Sequence, residues 1–408
     1  MIRSPDNGRN LTFYEFFAGG GMARAGLGSG WTCVFANDFD PDKAHAYRAN
    51  WGDADFHAGD LAAIGAEKLP GQADLAWASF PCQDLSLAGS GRGMGEAGDE
   101  VFTRSGAFWL FHSKMRALRE ESRAPRAIVL ENVVGVMTSH GKRDFRAIVA
   151  SLGDLGYRTG ALLVDARWFT PQSRPRVFFV ALDKALFESI GRDAALLSCL
   201  AAEAGDPQWT SPALLAAQQA LPPDLQANWV WWRLPPPPRR NMELADILEE
   251  SPADAPWRDA EATKRLLGLM APPHREKIRQ AQQDRRQDGR ASVGAVYRRT
   301  RGDGKGGKTQ RAEVRFDGIA GCLRTPGGGS SRQTLLEVRG ETIRSRLLSS
   351  REAARLMGLP DSYVLPVTSS KAYKLCGDGL CVPVIRHIAE HLVQRLLMAA
   401  DARLEVAE

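Results

Sequence analysis

The sequence lacks the features of a membrane, secreted or zinc-binding protein. Its six cysteines are scattered and form no CxxC pair, which argues against a zinc site or a disulfide framework and favours a reducing cytoplasm. No stretch resembles a signal peptide, and no apolar run is long enough to cross a bilayer. We therefore expect a cytoplasmic protein with neither a metal site nor a membrane contact. At 408 residues the chain is long for one compact domain, so two domains are expected.

Positive charge is in slight excess overall and is concentrated in one segment. The formal net charge is +5, from 53 Lys plus Arg and 48 Asp plus Glu. Residues 273–315 hold 13 basic against 5 acidic residues, a net of +8, and the remainder holds 40 against 43, a net of −3. Such a segment suits a phosphate backbone, and Arg298, Arg299 and Arg301 are its candidate contacts. The alternative is a solvated, poorly ordered loop.

A thiol lies where a short strand is predicted to end. The apolar residues 74–78 indicate a buried strand, and Phe80 and Pro81 lead from it to Cys82. Pro81 fixes its own φ and favours an extended Phe80, so Cys82 is presented at a defined angle before a glycine-rich segment. Cys82 is thus a candidate nucleophile. The alternative is a small buried hydrophobe, the usual role of a free cysteine.

The first segments of the chain predict a nucleotide-type pocket. A strand is predicted over 11–17, followed by a turn that contains Gly19 and Gly21 and then by a helix. Glycines let a ligand approach the backbone closely, and a helix N-terminus favours polar groups. The dinucleotide fingerprint G-x-G-x-x-G nevertheless fails, because its last position is Arg24.

Acidic residues follow the next two predicted strands. The strand over 31–36 leads to Asp38, Phe39 and Asp40. A carboxylate at the end of a second strand is placed to accept hydrogen bonds from ribose hydroxyls, and an adjacent aromatic ring can cover an adenine face. Asp40 precedes a proline and is also a good helix N-cap, a role compatible with the first. Asp60 follows the third strand and is placed near an adenine amino group.

Charged side chains also lie near two later strands. Residues 127–130 indicate a buried parallel strand that ends in Glu131. Because parallel strands share one edge, Glu131 is expected near Cys82, or else as the cap of the helix that follows. Arg174 and Arg176 flank a proline at the start of another strand. They are either anion-binding side chains or a surface ion-pair cluster.

From about residue 184 the alternation of strands and helices fades. We expect the tryptophans of this region to form the core of a smaller domain rather than platforms for base stacking. Order returns at a short helix whose predicted capping box is Ser349 and Glu352. The tryptophans are Trp209, Trp229, Trp231, Trp232 and Trp257.

In their order along the chain, these segments resemble the successive motifs of the DNA (cytosine-5) methyltransferases. The resemblance covers roughly residues 11–182 and 318–398, and the region of about 185–317 matches no motif. Glu15 stands where the family more often has aspartate, and Asp378 stands where many members have asparagine. The matching segments are Phe17-Ala18-Gly19-Gly20-Gly21, Pro81-Cys82-Gln83, Glu131-Asn132-Val133, Gln172-Ser173-Arg174-Pro175-Arg176, 351–358 and Gly377-Asp378-Gly379-Leu380.

The resemblance implies an α/β fold. A class I S-adenosylmethionine-dependent methyltransferase domain, Rossmann-like with a mostly parallel sheet, is expected over 1–184 plus 370–408. A smaller target-recognition domain is expected over 185–369, with double-stranded DNA between the two. The implied enzyme is a monomer that methylates carbon 5 of cytosine at a specific DNA site. It belongs to a bacterial or phage restriction–modification system, with a cognate restriction endonuclease as its genetic partner.

The resemblance also implies a role for each matching residue. Cys82 adds to carbon 6 of a flipped cytosine, Glu131 donates a proton to ring nitrogen 3, and Arg174 and Arg176 steady the nucleotide. Arg104 and Ser105, at the far end of the loop after Cys82, contact phosphates. The S-adenosylmethionine pocket is formed by Phe17, Gly19, Gly21, Asp38, Phe39, Asp60, Leu61, Pro81, Asp378 and Leu380.

Three rival functions use the same features. An RNA cytosine-5 methyltransferase has the same catalytic domain, but the long region of 185–317 favours a reader of duplex DNA. A non-catalytic nucleic-acid-binding protein would not need Cys82, Glu131 and Arg176. A small-molecule methyltransferase needs neither the covalent cysteine nor the basic segment.

Overall fold

A computed structural model describes residues 10–81, 106–191, 193–201, 205–283, 291–302, 307–325 and 332–407. Cys82, Arg104 and Ser105 lie outside these ranges. The strands are β1 (Leu11–Phe16), β2 (Trp31–Asp38), β3 (Phe56–Ala58), β4 (Leu75–Ala78), β5 (Ala127–Val133), β6 (Tyr157–Asp165), β7 (Pro175–Asp183), β8 (Ser292–Gly302), β9 (Lys308–Arg315), β10 (Thr334–Arg339) and β11 (Thr342–Leu347). The helices are α1 (Met22–Leu27), α2 (Pro41–Trp51), α3 (Ala107–Glu120), α4 (Arg143–Asp154), α5 (Lys184–Ile190), α6 (Ala194–Ser198), α7 (Pro212–Gln219), α8 (Pro223–Ala227), α9 (Ala260–Gly268), α10 (Pro272–Gln283), α11 (Ser350–Leu356), α12 (Ser369–Asp378), α13 (Val382–Ile388) and α14 (Gln394–Ala407).

The chain forms two compact units, and the first contains a seven-stranded sheet. This unit comprises Met1–Val164, Pro175–Pro236 and Val384–Glu408. The strand order is β3-β2-β1-β4-β5-β7-β6. The pairs from β3 to β5 are parallel, whereas β5 and β7 run antiparallel. The predicted α/β fold with a mostly parallel sheet is therefore confirmed.

The central strands of this sheet are buried on both faces. Strands β4 and β5 are apolar almost throughout because helices cover a parallel sheet on each side, and every residue of Leu75–Ala78 is buried. Aromatic and aliphatic side chains of α3 and α4 pack in the same cluster as the strand residues. The cluster includes Phe16, Ala78, Phe108, Phe111, Leu130, Phe145, Ile148 and Phe179.

The strand register aligns the ends of three strands at one edge of the sheet. Phe16 of β1 is opposite Ala78 of β4, and Ala78 is opposite Leu130 of β5. The residues that follow these positions therefore leave the sheet side by side. This edge carries the glycine turn, Pro81 and Glu131. Glu131 itself still belongs to β5, which ends at Val133 rather than at residue 130.

The tryptophans after residue 200 are mostly buried, but the prediction that they form the core of a smaller domain is wrong for four of them, which belong to the first unit. Trp209 Nε1 donates to the carbonyl of Leu234 at 2.9 Å, and Trp232 Nε1 donates to the carbonyl of Val180 at 2.8 Å. The second bond attaches the segment that follows α6 to β7 of the sheet, and the first lies within that segment. The indole N–H groups of Trp209 and Trp232 are thus satisfied inside the core.

The second unit, Asp165–Arg174 plus Pro237–Pro383, contains an antiparallel sheet of order β11-β10-β8-β9. Helices α9 and α10 contribute Leu266 and Ile278, and the link between them contributes Met270, to a core with apolar residues of the sheet. The basic segment is therefore not a poorly ordered loop over its described part: it contributes α10 and the β8–β9 hairpin. At the start of α11 the predicted capping box of Ser349 and Glu352 is confirmed.

Over the described ranges, no helix combines the length and the apolar composition that crossing a membrane requires.

Candidate active site

The turn after β1 holds backbone conformations that only a few residues adopt. Gly19 and Gly21 have φ of 58° and 75°, and Phe17 has φ of 55°, which is rare for a residue with a side chain. A Cβ on Gly21 would clash with the indole of Trp51, whereas one on Gly19 would meet nothing within 4 Å. Trp51 Nε1 donates to the carbonyl of Gly20 at 3.0 Å. The turn is thus packed behind Gly21 and open at Gly19, where a ligand can approach the backbone.

Glu15 is a buried carboxyl group beneath this turn. Its Oε1 accepts the backbone N–H groups of Ala23 at 3.1 Å and Arg24 at 3.4 Å, in the first turn of α1. Within the described chain, its Oε2 is buried and has no hydrogen-bond partner. Burial raises the pKa of Glu15 to about 8, although the two N–H groups oppose the shift.

Asp38 joins the glycine turn to the end of β2. Its Oδ2 accepts the N–H of Gly19 at 2.8 Å, and its Oδ1 accepts the N–H of Asp40 at 2.9 Å. Burial raises the pKa of Asp38, and the nearby Lys43 opposes that effect. Asp40 caps α2, as predicted, by accepting the N–H groups of Asp42 and Lys43. The carboxylate of Asp38 therefore fixes the shape of the predicted cofactor turn.

Phe39 and Asp60, the two residues predicted to contact an adenine, both have exposed side chains. The Phe39 side chain is 66% exposed, which is unusual for an aromatic residue next to a buried strand. Asp60 is exposed, and its Oδ1 accepts the N–H of Ala62 at 2.9 Å. Leu61, the next residue, is buried.

These groups fit S-adenosylmethionine. Its ammonium, ribose hydroxyls and adenine amino group are hydrogen-bond donors, and its sulfonium is a cation. They require hydrogen-bond acceptors, which the carboxyl groups of Asp38 and Asp60 offer around a turn that is open at Gly19. The exposed ring of Phe39 offers a stacking face.

Asn132 connects β5 to the segment that leads to Cys82. Its Nδ2 donates to the carbonyl of Phe80 at 3.4 Å, and its Oδ1 accepts the N–H of Val133 at 2.8 Å. Asn132 is buried, and Pro81 is partly exposed. The side chain of Asn132 thus holds the backbone two residues before Cys82, a contact that the sequence did not predict.

Glu131 and Arg176 form a buried ion pair across neighbouring strands. Arg176 Nε lies 2.9 Å from Glu131 Oε1, and the two side chains are 15% and 9% exposed. Strands β5 and β7 pair Val133 with Arg176 and Glu131 with Phe178, which places the two charged residues diagonally on adjacent strands. The antiparallel pairing of β7 thus brings together two residues that are 45 positions apart in the sequence.

Arg174, two residues earlier, belongs to the second unit. Its guanidinium donates to the carbonyls of Leu323, Gly377 and Gly379 at 3.2, 2.9 and 2.7 Å. The residue is only 3% exposed. Asp378 and Leu380, which the sequence placed in the cofactor pocket, belong to this same part of the second unit.

Gln172 is a second buried residue of this motif that sequence reasoning missed. Its Nε2 donates to the carbonyl of Leu356 at 3.0 Å, and its Oε1 accepts the N–H of Leu323 at 3.1 Å. The sequence did indicate that Gln172 could matter, because it lies inside the motif that contains Arg174. Its hydrogen-bond partners are more than 150 residues away in the sequence, so the spacing of residues within the motif could not identify them.

Two of the three predicted phosphate contacts on the hairpin are exposed. Arg298 and Arg299 project from β8, opposite Ala312 and Arg311 of β9. Arg299 Nε lies 3.4 Å from a carboxylate oxygen of Glu313, a partly exposed pair. The side chain of Arg301 lies outside the described residues, as do Arg104 and Ser105.

The mostly parallel sheet, the glycine turn after β1 and the acidic end of β2 together are typical of a Rossmann-like domain that binds an adenine-containing cofactor. The model of the C-5 cytosine-specific DNA methylase family matches residues 11–394, and the chain belongs to this family. It is a DNA (cytosine-5) methyltransferase that uses S-adenosylmethionine as its methyl donor. The resemblance found in the motifs is thereby confirmed.

The chain is similar over nearly its whole length to three type II methyltransferases. It is 26% identical to M.HpaII of Haemophilus parainfluenzae, with 96% of this chain and 92% of that protein covered. Identity to M.NlaX of Neisseria lactamica is also 26%, covering 95% and 98%. For M.HhaI of Haemophilus parahaemolyticus the identity is 25%, and 94% of each chain is covered.

Two solved structures share the fold. A mutant form of Spodoptera frugiperda DNMT2 matches with a TM-score of 0.57 and 15% identity, covering 94% of this chain and 99% of that one. The S. pombe Dnmt2 methyltransferase matches with a TM-score of 0.51 and 17% identity, covering 98% and 99%.

Proposed function

We propose that this enzyme methylates cytosine at one short DNA sequence as the modification half of a bacterial or phage restriction–modification system. The observation that carries the proposal is the buried Glu131–Arg176 pair at the sheet edge that also presents Pro81, the residue before Cys82. The similarity to M.HpaII, M.NlaX and M.HhaI supports the restriction–modification context. The enzyme acts as a monomer in the cytoplasm, and its genetic partner is an endonuclease that reads the same site.

Cys82 is the nucleophile of the proposed reaction. The target cytosine turns out of the duplex, since its ring is otherwise stacked and inaccessible. The thiolate then adds to carbon 6, and the displaced electron pair moves into the ring. The Glu131 carboxyl takes up a proton as burial by the incoming base favours its neutral form, and it donates that proton to ring nitrogen 3 and neutralises the developing charge, while Arg176 holds the carboxyl in place. S-adenosylmethionine supplies the methyl group that carbon 5 takes up. A base, for which water suffices, removes the carbon 5 proton, the carbon 5–carbon 6 double bond re-forms as the Cys82 thiolate leaves, and ring nitrogen 3 returns its proton to Glu131.

The proposed cofactor contacts come from four segments of the chain. They are the glycine turn, the acidic and aromatic residues at the end of β2 and after β3, the residue before Cys82, and the segment at the end of α12. The set is Phe17, Gly19, Gly21, Asp38, Phe39, Asp60, Leu61, Pro81, Asp378 and Leu380.

DNA recognition is assigned to the region of 185–369, which contains the antiparallel sheet of β8 to β11. Arg298 and Arg299 are exposed on β8 and suit phosphate contacts, as does Arg301 by its position. Arg104 and Ser105 are proposed to contact phosphates near the flipped base.

Methylation of DNA and of RNA can be compared directly. The purified protein is incubated with isotopically labelled S-adenosylmethionine and either genomic DNA or tRNA, and DNA from a host that expresses it is sequenced after bisulfite treatment. We expect label in DNA only, and protected cytosines at one recurrent short sequence. Label in tRNA alone would make the protein an RNA methyltransferase. Cofactor binding without any transfer would make it a non-catalytic binding protein. Either result overturns the proposal.

A further inference from the structure

Arg174 is a buried cation that donates to carbonyl oxygens, and to the sulfur of Cys322, from distant segments. Its Nη2 donates to the carbonyls of Gly377 and Gly379, and its Nη1 donates to the carbonyl of Leu323. A guanidinium that is 3% exposed needs such acceptors, because its desolvation is otherwise unfavourable. The planar guanidinium can donate hydrogen bonds to several fixed carbonyl oxygens at once.

Two of these carbonyls belong to the C-terminus of α12. The last carbonyls of a helix have no partner within the helix, and the helix dipole makes this end negative. Helix α12 ends at Asp378, and Gly379 follows as its C-cap residue. Arg174 therefore caps α12 with a positive charge and fixes the backbone on either side of Asp378.

A second side chain anchors the same segment. The hydroxyl of Thr325 donates to Asp378 Oδ1. A Cβ on Gly377 would lie 3.0 Å from the carbonyl carbon of Arg324 and 3.1 Å from the N of Thr325, so the helix end packs directly against the 324–325 backbone. The helix end is thus held from two sides by Arg174 and Thr325.

We propose that Arg174 is a positioning residue for cofactor binding and that it acts through the segment Gly377-Asp378-Gly379-Leu380. This inference rests on the proposed function, which places Asp378 and Leu380 at S-adenosylmethionine. Arg176, by contrast, contacts Glu131 in the first unit. The two arginines of one motif thus have different tasks: Arg174 sets the affinity for the cofactor, and Arg176 serves the step at the cytosine.

The test compares Arg174→Met with Arg176→Met in the full-length protein. Dissociation constants for S-adenosylhomocysteine are measured by calorimetry, and kcat is measured with DNA at saturating S-adenosylmethionine. For Arg174→Met we expect cofactor affinity to fall at least about tenfold, and by a larger factor than kcat, because a buried charged hydrogen-bond donor has been removed. For Arg176→Met we expect affinity within about twofold and kcat lowered by about 100-fold or more.

Two further variants keep the test informative if Arg174→Met fails to fold. Arg174→Lys keeps the charge but loses the fork, so we expect an intermediate loss of cofactor affinity. Thr325→Val removes the other anchor of the segment, so we expect a rise of a few-fold in the cofactor dissociation constant and an unchanged kcat. The matched control is Arg167→Met, at a position that lies with Arg174 in the segment Asp165–Arg174. Arg167 is half-exposed and pairs with Asp165, and we expect this variant to match wild type in both measurements.

The outcomes separate the inference from the proposed function. If Arg174→Met or Arg174→Lys leaves the cofactor dissociation constant unchanged while kcat falls, Arg174 acts at the cytosine and the inference is wrong. If wild type binds the cofactor but methylates no DNA, the proposed function fails. In that case a weakened cofactor complex in the Arg174 variants still supports the inference.

Discussion

The free energy of unfolding depends on pH through Glu15. The single substitution Glu15→Gln should remove this dependence. Burial raises the pKa of Glu15 from an ordinary value of 4.5 to about 8. Between these two pH values the folded protein keeps the Glu15 proton, whereas the unfolded chain has lost it. The free energy of unfolding therefore falls as pH rises through this window, by about 1.4 kcal/mol per pH unit at most. Above pH 8 both states are ionised and the loss is complete.

Glu15→Gln isolates this effect. The amide keeps an oxygen that can accept from Ala23 and Arg24 but has no proton to lose, so its contribution does not change with pH. Between pH 5.5 and 7.5 we expect the variant to gain about 2–3 kcal/mol of stability relative to wild type. The other titrating groups are common to both proteins and cancel in the difference.

The measurement is equilibrium urea unfolding of both proteins at several pH values, followed by tryptophan fluorescence. Glu67→Gln, at an exposed position of the same unit, is the control, and its curve should run parallel to that of wild type. If the curve for Glu15→Gln also runs parallel to wild type, Glu15 is ionised in the folded protein and the reasoning about its burial is refuted.

Three other predictions follow from charged side chains. Glu352→Gln should lower the free energy of unfolding by about 3–5 kcal/mol in urea, since it leaves the fully buried Arg346 without its ion-pair partner; a loss below about 1 kcal/mol, typical of surface pairs, would contradict this. Replacing Arg298 and Arg299 by Gln should weaken binding to every DNA sequence alike and flatten the dependence of affinity on salt, as measured by fluorescence anisotropy; an unchanged slope would exclude them as phosphate contacts. Arg176→Lys should lower kcat by about tenfold or more in a single-turnover assay, because a lysine cannot keep the Nε contact with the carboxylate; wild-type kcat would show that the geometry of this pair is unimportant.

The sequence predicted those parts of the site that depend on local structure. A strand that leads into a glycine turn, or that ends at Asp38, is recognised from neighbouring residues alone. The parallel arrangement of β1, β4 and β5 then aligns the ends of these three strands. The N-cap role of Asp40 and the capping box at Ser349 are local in the same sense, and both are confirmed.

The parts that the sequence could not predict depend on contacts between distant residues. The antiparallel direction of β7 sets Arg176 against Glu131, and no pattern within either strand indicates that direction. Arg174 and Gln172 find their partners about 150 to 200 residues further along the chain. The strain at Phe17 depends on the packing around the turn, because no local pattern requires a left-handed phenylalanine.

The central claim is that the Cys82 sulfur bonds to the target cytosine during catalysis. DNA in which the target cytosine is 5-fluorocytosine cannot lose the substituent at carbon 5, so the covalent complex should accumulate. We predict that wild-type protein and S-adenosylmethionine give a protein–DNA adduct that survives a denaturing gel and has the summed mass of protein, DNA strand and methyl group. We predict no adduct with Cys82→Ala. Equal amounts of adduct with both proteins would contradict the account.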